Sequence, residues 1–150
     1  MVRLTSARIK PKITGMPTRS ASGAAHPRPR VLLIDDSATV LALYTLMLEQ
    51  EVDVQATTRG EEGYQLACAD RPDAIIVDVI MPDINGLDLC QRVLANPTTA
   101  SVPLIVLTGD DQAFAHASAM HGLDAVLRKP CTMDTLLNSV RRAIASRAVR

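Results

Sequence analysis

The sequence predicts an α/β fold: a five-stranded parallel sheet, doubly wound by helices in (βα)5 order. Three observations predict it. The runs "VLLI", "AIIV" and "LIVL" are apolar without interruption, as parallel strands buried on both faces are. Strand-like runs alternate with helix-length segments, which implies crossover helices covering the sheet. Cap and turn residues such as Asn85-Gly86, Asn96-Pro97 and Gly122 separate the segments.

Each element follows in order. "RVLLIDD" is a short apolar run ending in two acids, and "TVLALYTLMLEQ" is a helix-length apolar segment that Ser37 can cap. "VDVQATT" alternates as a strand does, and "GEEGYQLACAD" suits a helix. "DAIIVD" is the third strand, followed by the helix "GLDLCQRVLAN", which Asn96-Pro97 closes. "PLIVLTG" is the fourth strand, and "DQAFAHASAMHG" a helix with Gly122 at its end. "DAVLRKP" holds a short fifth strand, and "TMDTLLNSVRRAIASRA" is the last helix.

A chain of 150 residues with zero net charge and 47% apolar residues reads as one soluble globular domain. Its only aromatics are Tyr44, Tyr64 and Phe114, so the core is aliphatic. Cys68, Cys90 and Cys131 are odd in number and lack CxxC spacing, which fits reduced thiols and a cytoplasmic location better than disulfides or zinc. No apolar stretch is long enough for a membrane span. Residues 1–30 carry Arg3, Arg8, Lys10, Lys12, Arg19, Arg28 and Arg30 and no acid, while the other nine basic residues face all sixteen acids. The segment 1–30 reads as a disordered basic arm, with the folded domain over 31–148. Without aromatics, the arm is weak evidence for nucleic-acid binding, and no direct DNA binding is expected.

The chemistry lies at the strand ends. Ligands of parallel α/β sheets bind at the carboxyl edge. There the first strand delivers Asp35 and Asp36, the third Asp78, the fourth Thr108 and the fifth Lys129. Three carboxylates in one crevice repel one another. One lysine does not balance them; a hard divalent cation with oxygen ligands does, which favours Mg2+. A metal beside a carboxylate and a lysine suits phosphoryl chemistry. Met81-Pro82 and Asn85-Gly86 break the chain after Asp78, so that the acid stays at an open mouth.

The motifs "LLIDDS", "IIVDVIMPDINGL", "VPLIVLTG" and "LRKP", in this order and spacing, resemble a response-regulator receiver domain of two-component signalling, from Val31 to about Ala148. The resemblance implies a flavodoxin-like, chemotaxis-regulator-like receiver fold. It implies that Asp78 accepts a phosphoryl group from a phosphohistidine. Asp36 and Asp78 would ligate Mg2+ with the Ile80 backbone carbonyl, and Asp35 would act through a bound water. Lys129 would pair with the phosphoryl oxygens, and Thr108 would hydrogen-bond to one of them. Pro130 would follow a cis peptide bond that aims Lys129 into the site. The partners implied are a sensor histidine kinase or a histidine phosphotransfer protein. The protein would be no enzyme in the ordinary sense, but a phosphoacceptor that promotes its own Mg2+-dependent phosphorylation and dephosphorylation.

Each residue has a plainer reading alone. Asp35-Asp36 could be a helix N-terminal acid pair, Thr108 a strand-end cap, and Lys129-Pro130 a turn. His26, His116 and His121 show no ligand spacing and are expected at the surface or at solvated helix ends. The first helix is apolar nearly all round, so it is either buried or docks a partner. Val40 and Leu41 are its expected docking residues, Leu41 lying where many relatives carry an exposed Arg. Cys131 stands where relatives often have Phe, and is expected to be a packing residue. Val126 stands where the family usually has Tyr or Phe, which puts the usual aromatic switch in question. Only twenty residues follow Pro130, so a stand-alone receiver acting by protein contact or phosphorelay is expected. The alternative is a non-phosphorylated pseudo-receiver, an interaction module. A metal-dependent hydrolase lacks its DxD pattern, since Ile80 stands two residues after Asp78.

Overall fold

The computed structural model describes residues 27–149. Its elements are β1 (Arg30–Ile34), α1 (Ala38–Leu48), β2 (Asp53–Thr57), α2 (Gly60–Asp70), β3 (Ala74–Val77), α3 (Gly86–Ala95), β4 (Leu104–Thr108), α4 (Asp111–Ala119), β5 (Ala125–Arg128) and α5 (Met133–Ala148). The sheet order is β2-β1-β3-β4-β5, every pairing is parallel, and the fold is flavodoxin-like.

Strand side chains alternate between the two faces. Val31, Leu33, Ile76, Ile105 and Leu107 pack with Leu41, Tyr44 and Leu48 of α1 and Leu136, Leu137 and Val140 of α5. Leu32, Ile34, Ile75, Val77, Leu104 and Val106 face the other way, onto α2, α3 and α4. The continuous apolar runs are therefore explained by two cores, one on each face. Cys90 and Cys131 are packing residues of these cores, and burial pushes the Cys90 thiol up to about 12.

The helix starts follow local chemistry. Ser37 accepts from the Val40 amide, Asn85 from Leu87, Asp110 from Ala113 and Thr132 from Thr135. Gly122 does not end α4 itself; it takes φ +94° in the turn after Met120. His116 and His121 are exposed, as expected, whereas His26 lies outside the described residues.

The expected boundary between arm and domain falls inside the fold. Arg30 opens β1, its amide donates to Asp73 at 2.7 Å, and its guanidinium donates to the Asp70 carbonyl at 2.8 Å. Arg28 donates to the Val52 carbonyl at 3.1 Å. These two cations serve as backbone anchors. The rest of the expected arm, residues 1–26, lies outside the described residues.

Candidate functional site

The carboxyl edge of β1, β3 and β5 assembles one acidic mouth. Asp35 and Asp36 follow β1, Asp78 follows β3, and Lys129 follows β5. Asp35 and Asp78 are buried, at 2% and 8% exposure, while Asp36 is open to solvent. One carboxylate oxygen from each of the three acids lies within 4.8 Å of the others. Lys129 Nζ donates to Asp35 Oδ2 and stands 3.4 Å from Asp78 Oδ2. The Lys129-Pro130 peptide bond is cis.

Local contacts hold these groups still. Asp35 Oδ1 accepts from the Ser37 amide at 2.9 Å, and the Asp78 amide donates to the Ile34 carbonyl at 2.9 Å. Asp78 Oδ1 accepts from the Val79 amide at 2.8 Å. Behind Asp78 there is no room for a side chain at position 86, where a Cβ would come within 2.0 Å of the Asp78 carbonyl oxygen. Glycine in the Asn85-Gly86 turn thus lets α3 start directly against the loop.

Burial pushes the Asp78 carboxyl above the ordinary aspartate range. The Lys129 ammonium opposes this, and the Asp35 charge adds to it. One ammonium among three acids leaves the mouth anionic. An all-oxygen donor set with two buried members and one exposed member suits a hard divalent cation. The three carboxylates of Asp35, Asp36 and Asp78 fit Mg2+ as a shared oxygen donor set.

Thr108 is buried at the end of β4, and its hydroxyl accepts from the Asp110 amide at 3.3 Å. Val126 is half-buried on β5 and pairs with Val106. The aromatic of this region comes from α4 instead: the Arg128 guanidinium lies 4.0 Å from the Phe114 ring centroid and pairs with Asp111.

The docking expectation for Leu41 is overturned. Leu41 is 5% exposed and belongs to the core under β1, so it offers nothing to a partner. Val40 is half-buried and packs against the same core. The helix turns about 100° per residue, which brings Ala42, Leu43 and Leu46 to the outside, the last two at 48% and 66% exposure. Apolar residues all round this helix gave no direction to its buried stripe.

Three contacts had no signal in the sequence. Tyr44 of α1 accepts a hydrogen bond from the Cys131 amide beside Lys129, Asp83 binds the start of α2, and Arg128 covers Phe114. A motif search at local spacing would find none of them.

Residues 31–141 match the family model of the response regulator receiver domain. Protein PilH of Pseudomonas aeruginosa is 30% identical over 118 residues, covering 77% of this chain and 98% of PilH. The DNA-binding dual master transcriptional regulator RpaA of Synechocystis sp. is 34% identical over 115 residues, 75% of this chain but 48% of RpaA. Against that relative the chain spans about half the length. Among solved structures, a candidate response regulator from Chloroflexus aurantiacus superposes with a TM-score of 0.73 at 34% identity, over 79% of this chain and 98% of the other. A response regulator receiver domain protein from Clostridium thermocellum gives 0.73 at 26% identity, over 81% and 98%.

Proposed function

This chain belongs to the response regulator receiver domain family, and from that premise we propose that it accepts a phosphoryl group on Asp78 from a phosphohistidine donor, with Mg2+. The donor is a sensor histidine kinase or a histidine phosphotransfer protein. The observation that carries this reading is the convergence of Asp35, Asp36, Asp78 and Lys129 on one strand-end mouth.

The balance of the reaction is simple. A carboxylate oxygen of Asp78 attacks phosphorus, the P–N bond of the phosphohistidine breaks, and the imidazole leaves with its electron pair and takes up a proton. A carboxylate is a weak nucleophile, so positioning and charge neutralisation must supply the rate. Asp78 must be ionised to attack; burial opposes this and Lys129 favours it. The Val79 amide occupies Asp78 Oδ1 and so orients the carboxylate. Lys129 is within reach of the oxygens of a group on Asp78. Asp36, Asp78 and the Ile80 carbonyl would hold Mg2+, with Asp35 acting through a bound water, and the cation would supply charge neutralisation for those oxygens. The Thr108 hydroxyl gives up its contact with Asp110 and donates to one of them. The same site, with water in place of the imidazole, promotes loss of the group.

The signal then passes by protein contact or phosphorelay, in the manner of a receiver acting by itself; the match to nearly all of PilH supports this. The exposed Leu43 and Leu46 of α1 are the docking residues of the donor. A cytoplasmic location goes with the reading: Cys68, Cys90 and Cys131 are free, and no described helix is long and apolar enough to cross a membrane.

The test is labelling from radiolabelled acetyl phosphate and from a phosphorylated histidine phosphotransfer domain. Wild type should take up a hydroxylamine-sensitive label with Mg2+ and none in EDTA, and Asp78→Asn should take up none. Undiminished label on Asp78→Asn would overturn the assignment.

A further inference from the structure

Helix α2 begins without a cap of its own. Its N-cap residue is Arg59, whose side chain makes no capping hydrogen bond. The first amides of a helix have no acceptor within it and need one from elsewhere. Here the amides of Gly60 and Glu61 donate to the two carboxylate oxygens of Asp83, at 3.1 and 3.0 Å. A carboxylate suits this place twice over, because its charge strengthens both hydrogen bonds and faces the positive end of the helix dipole.

Asp83 is remote in sequence from α2. It lies in the loop between Asp78 and α3, three residues after Ile80. That loop touches α2 at a second place: a Cβ on Gly60 would lie 2.2 Å from Ile84 Cγ2 and 3.0 Å from Met81 Cε. Its far end is tied down by the Gly86 amide, which donates to the Val79 carbonyl at 2.8 Å. Glu61 then reaches across to Arg92 of α3 at 2.6 and 3.0 Å. The start of α2 and the loop behind the acids form one packed unit, and Asp83 is its only charged joint between Ile80 and Gly86.

We propose that Asp83 is a positioning residue of the phosphoacceptor site: by capping α2 with both oxygens it holds the loop that presents Ile80, and so sets the affinity of the site for a divalent cation. The inference rests on the proposed reading of Asp35, Asp36 and Asp78 as a Mg2+ site with the Ile80 carbonyl as a further ligand. A carbonyl ligand has no side-chain rotamer to adjust, so its place is set by the backbone that carries it. Partners that orient a ligand from behind are commonly worth about tenfold or more in metal affinity.

The experiment is a Mg2+ titration of the full chain followed by amide NMR, alongside urea unfolding. Wild type should show shifts at Asp35, Asp36 and Asp78, and matching shifts at Gly60 and Glu61. Asp83→Ala should bind Mg2+ about tenfold more weakly, and Gly60 and Glu61 should stop responding. Asp83→Asn keeps one oxygen acceptor and should fall between. A local cap restored by Arg59→Asp in the Asp83→Ala background should recover stability but not Mg2+ affinity, which separates positioning from helix capping. This double variant also keeps a folded protein in hand if Asp83→Ala alone unfolds. Unchanged affinity in Asp83→Ala, or affinity recovered along with stability in the double variant, would overturn the proposal and leave the site reading intact. A wild-type chain with no Mg2+ response at the three acids would overturn the site reading itself, and this inference with it.

Discussion

The phenol oxygen of Tyr44 accepts a hydrogen bond from the amide of Cys131 at 3.1 Å. The two residues are 87 positions apart, and both are buried in the core that α1 and α5 share. The bond ties α1 to the segment that follows Lys129. Cys131 is small, and Tyr44 on α1 belongs to the same core. Tyr44→Phe keeps the ring and removes the acceptor, leaving a buried N–H unpaired. Its expected cost is about 1–3 kcal/mol of stability, read as a lower urea midpoint with unchanged slope. An unaltered midpoint would mean that water replaces the phenol.

Titration of Asp78 should leave a mark on stability. Its carboxyl is held above the ordinary aspartate range, chiefly by burial. The native state therefore binds the proton more tightly than the unfolded chain. That contribution is fully present below the ordinary aspartate pKa and is lost as pH rises through the raised native value. At neutral pH in EDTA, the ionised Asp78 is thus a destabilising group. Asp78→Asn should melt higher than wild type at pH 7, and the gap should close on acidification. Equal melting temperatures at both ends of the range would contradict it.

Adding Mg2+ should reverse the sign for wild type. A cation bound only by the native state stabilises by about 2.7 kcal/mol at a hundred times its dissociation constant. Asp36→Asn removes the exposed acid of the three, and most of that gain should go with it. Thermal melts with and without Mg2+ measure both.

Movement of Thr108 should be felt first by α4. The Thr108 hydroxyl accepts from the amide of Asp110, which caps α4, and Thr108 pairs with Arg128 across β4 and β5. Val126 is short and stiff and cannot sweep through a ring-sized space. With a beryllofluoride mimic on Asp78, amide shifts should be large at Thr108, Asp110 and the first turn of α4, and small along α5. Shifts along α5 as large as those at Asp78 would show that another route carries the switch.

The outer face of α1 should govern transfer from a protein donor and not from a small one. Leu46→Asp should fold, take label from acetyl phosphate normally, and receive it from a histidine phosphotransfer domain about thirtyfold less efficiently or worse, the loss of one hot-spot residue. Leu41→Ala, in contrast, should cost about 2–5 kcal/mol of stability, because it empties part of the core.

The order of elements and the acids at the strand ends were legible in the sequence by itself. Parallel strands buried on both faces must be apolar throughout, so "VLLI", "AIIV" and "LIVL" announce themselves. Parallel connection also brings every strand end to one edge, so Asp35, Asp36, Asp78, Thr108 and Lys129 could be grouped without coordinates. Only the tertiary structure decided which face of α1 is free, because a helix apolar nearly all round carries no stripe to read. It alone joined Asp83 to Gly60, Tyr44 to Cys131, and Arg28 and Arg30 to the ends of their neighbouring elements. The physical reason is shared by all of these. A side chain that satisfies a distant backbone group is chosen by where the fold leaves an unpaired donor or acceptor, and such a need has no period and no spacing along the chain.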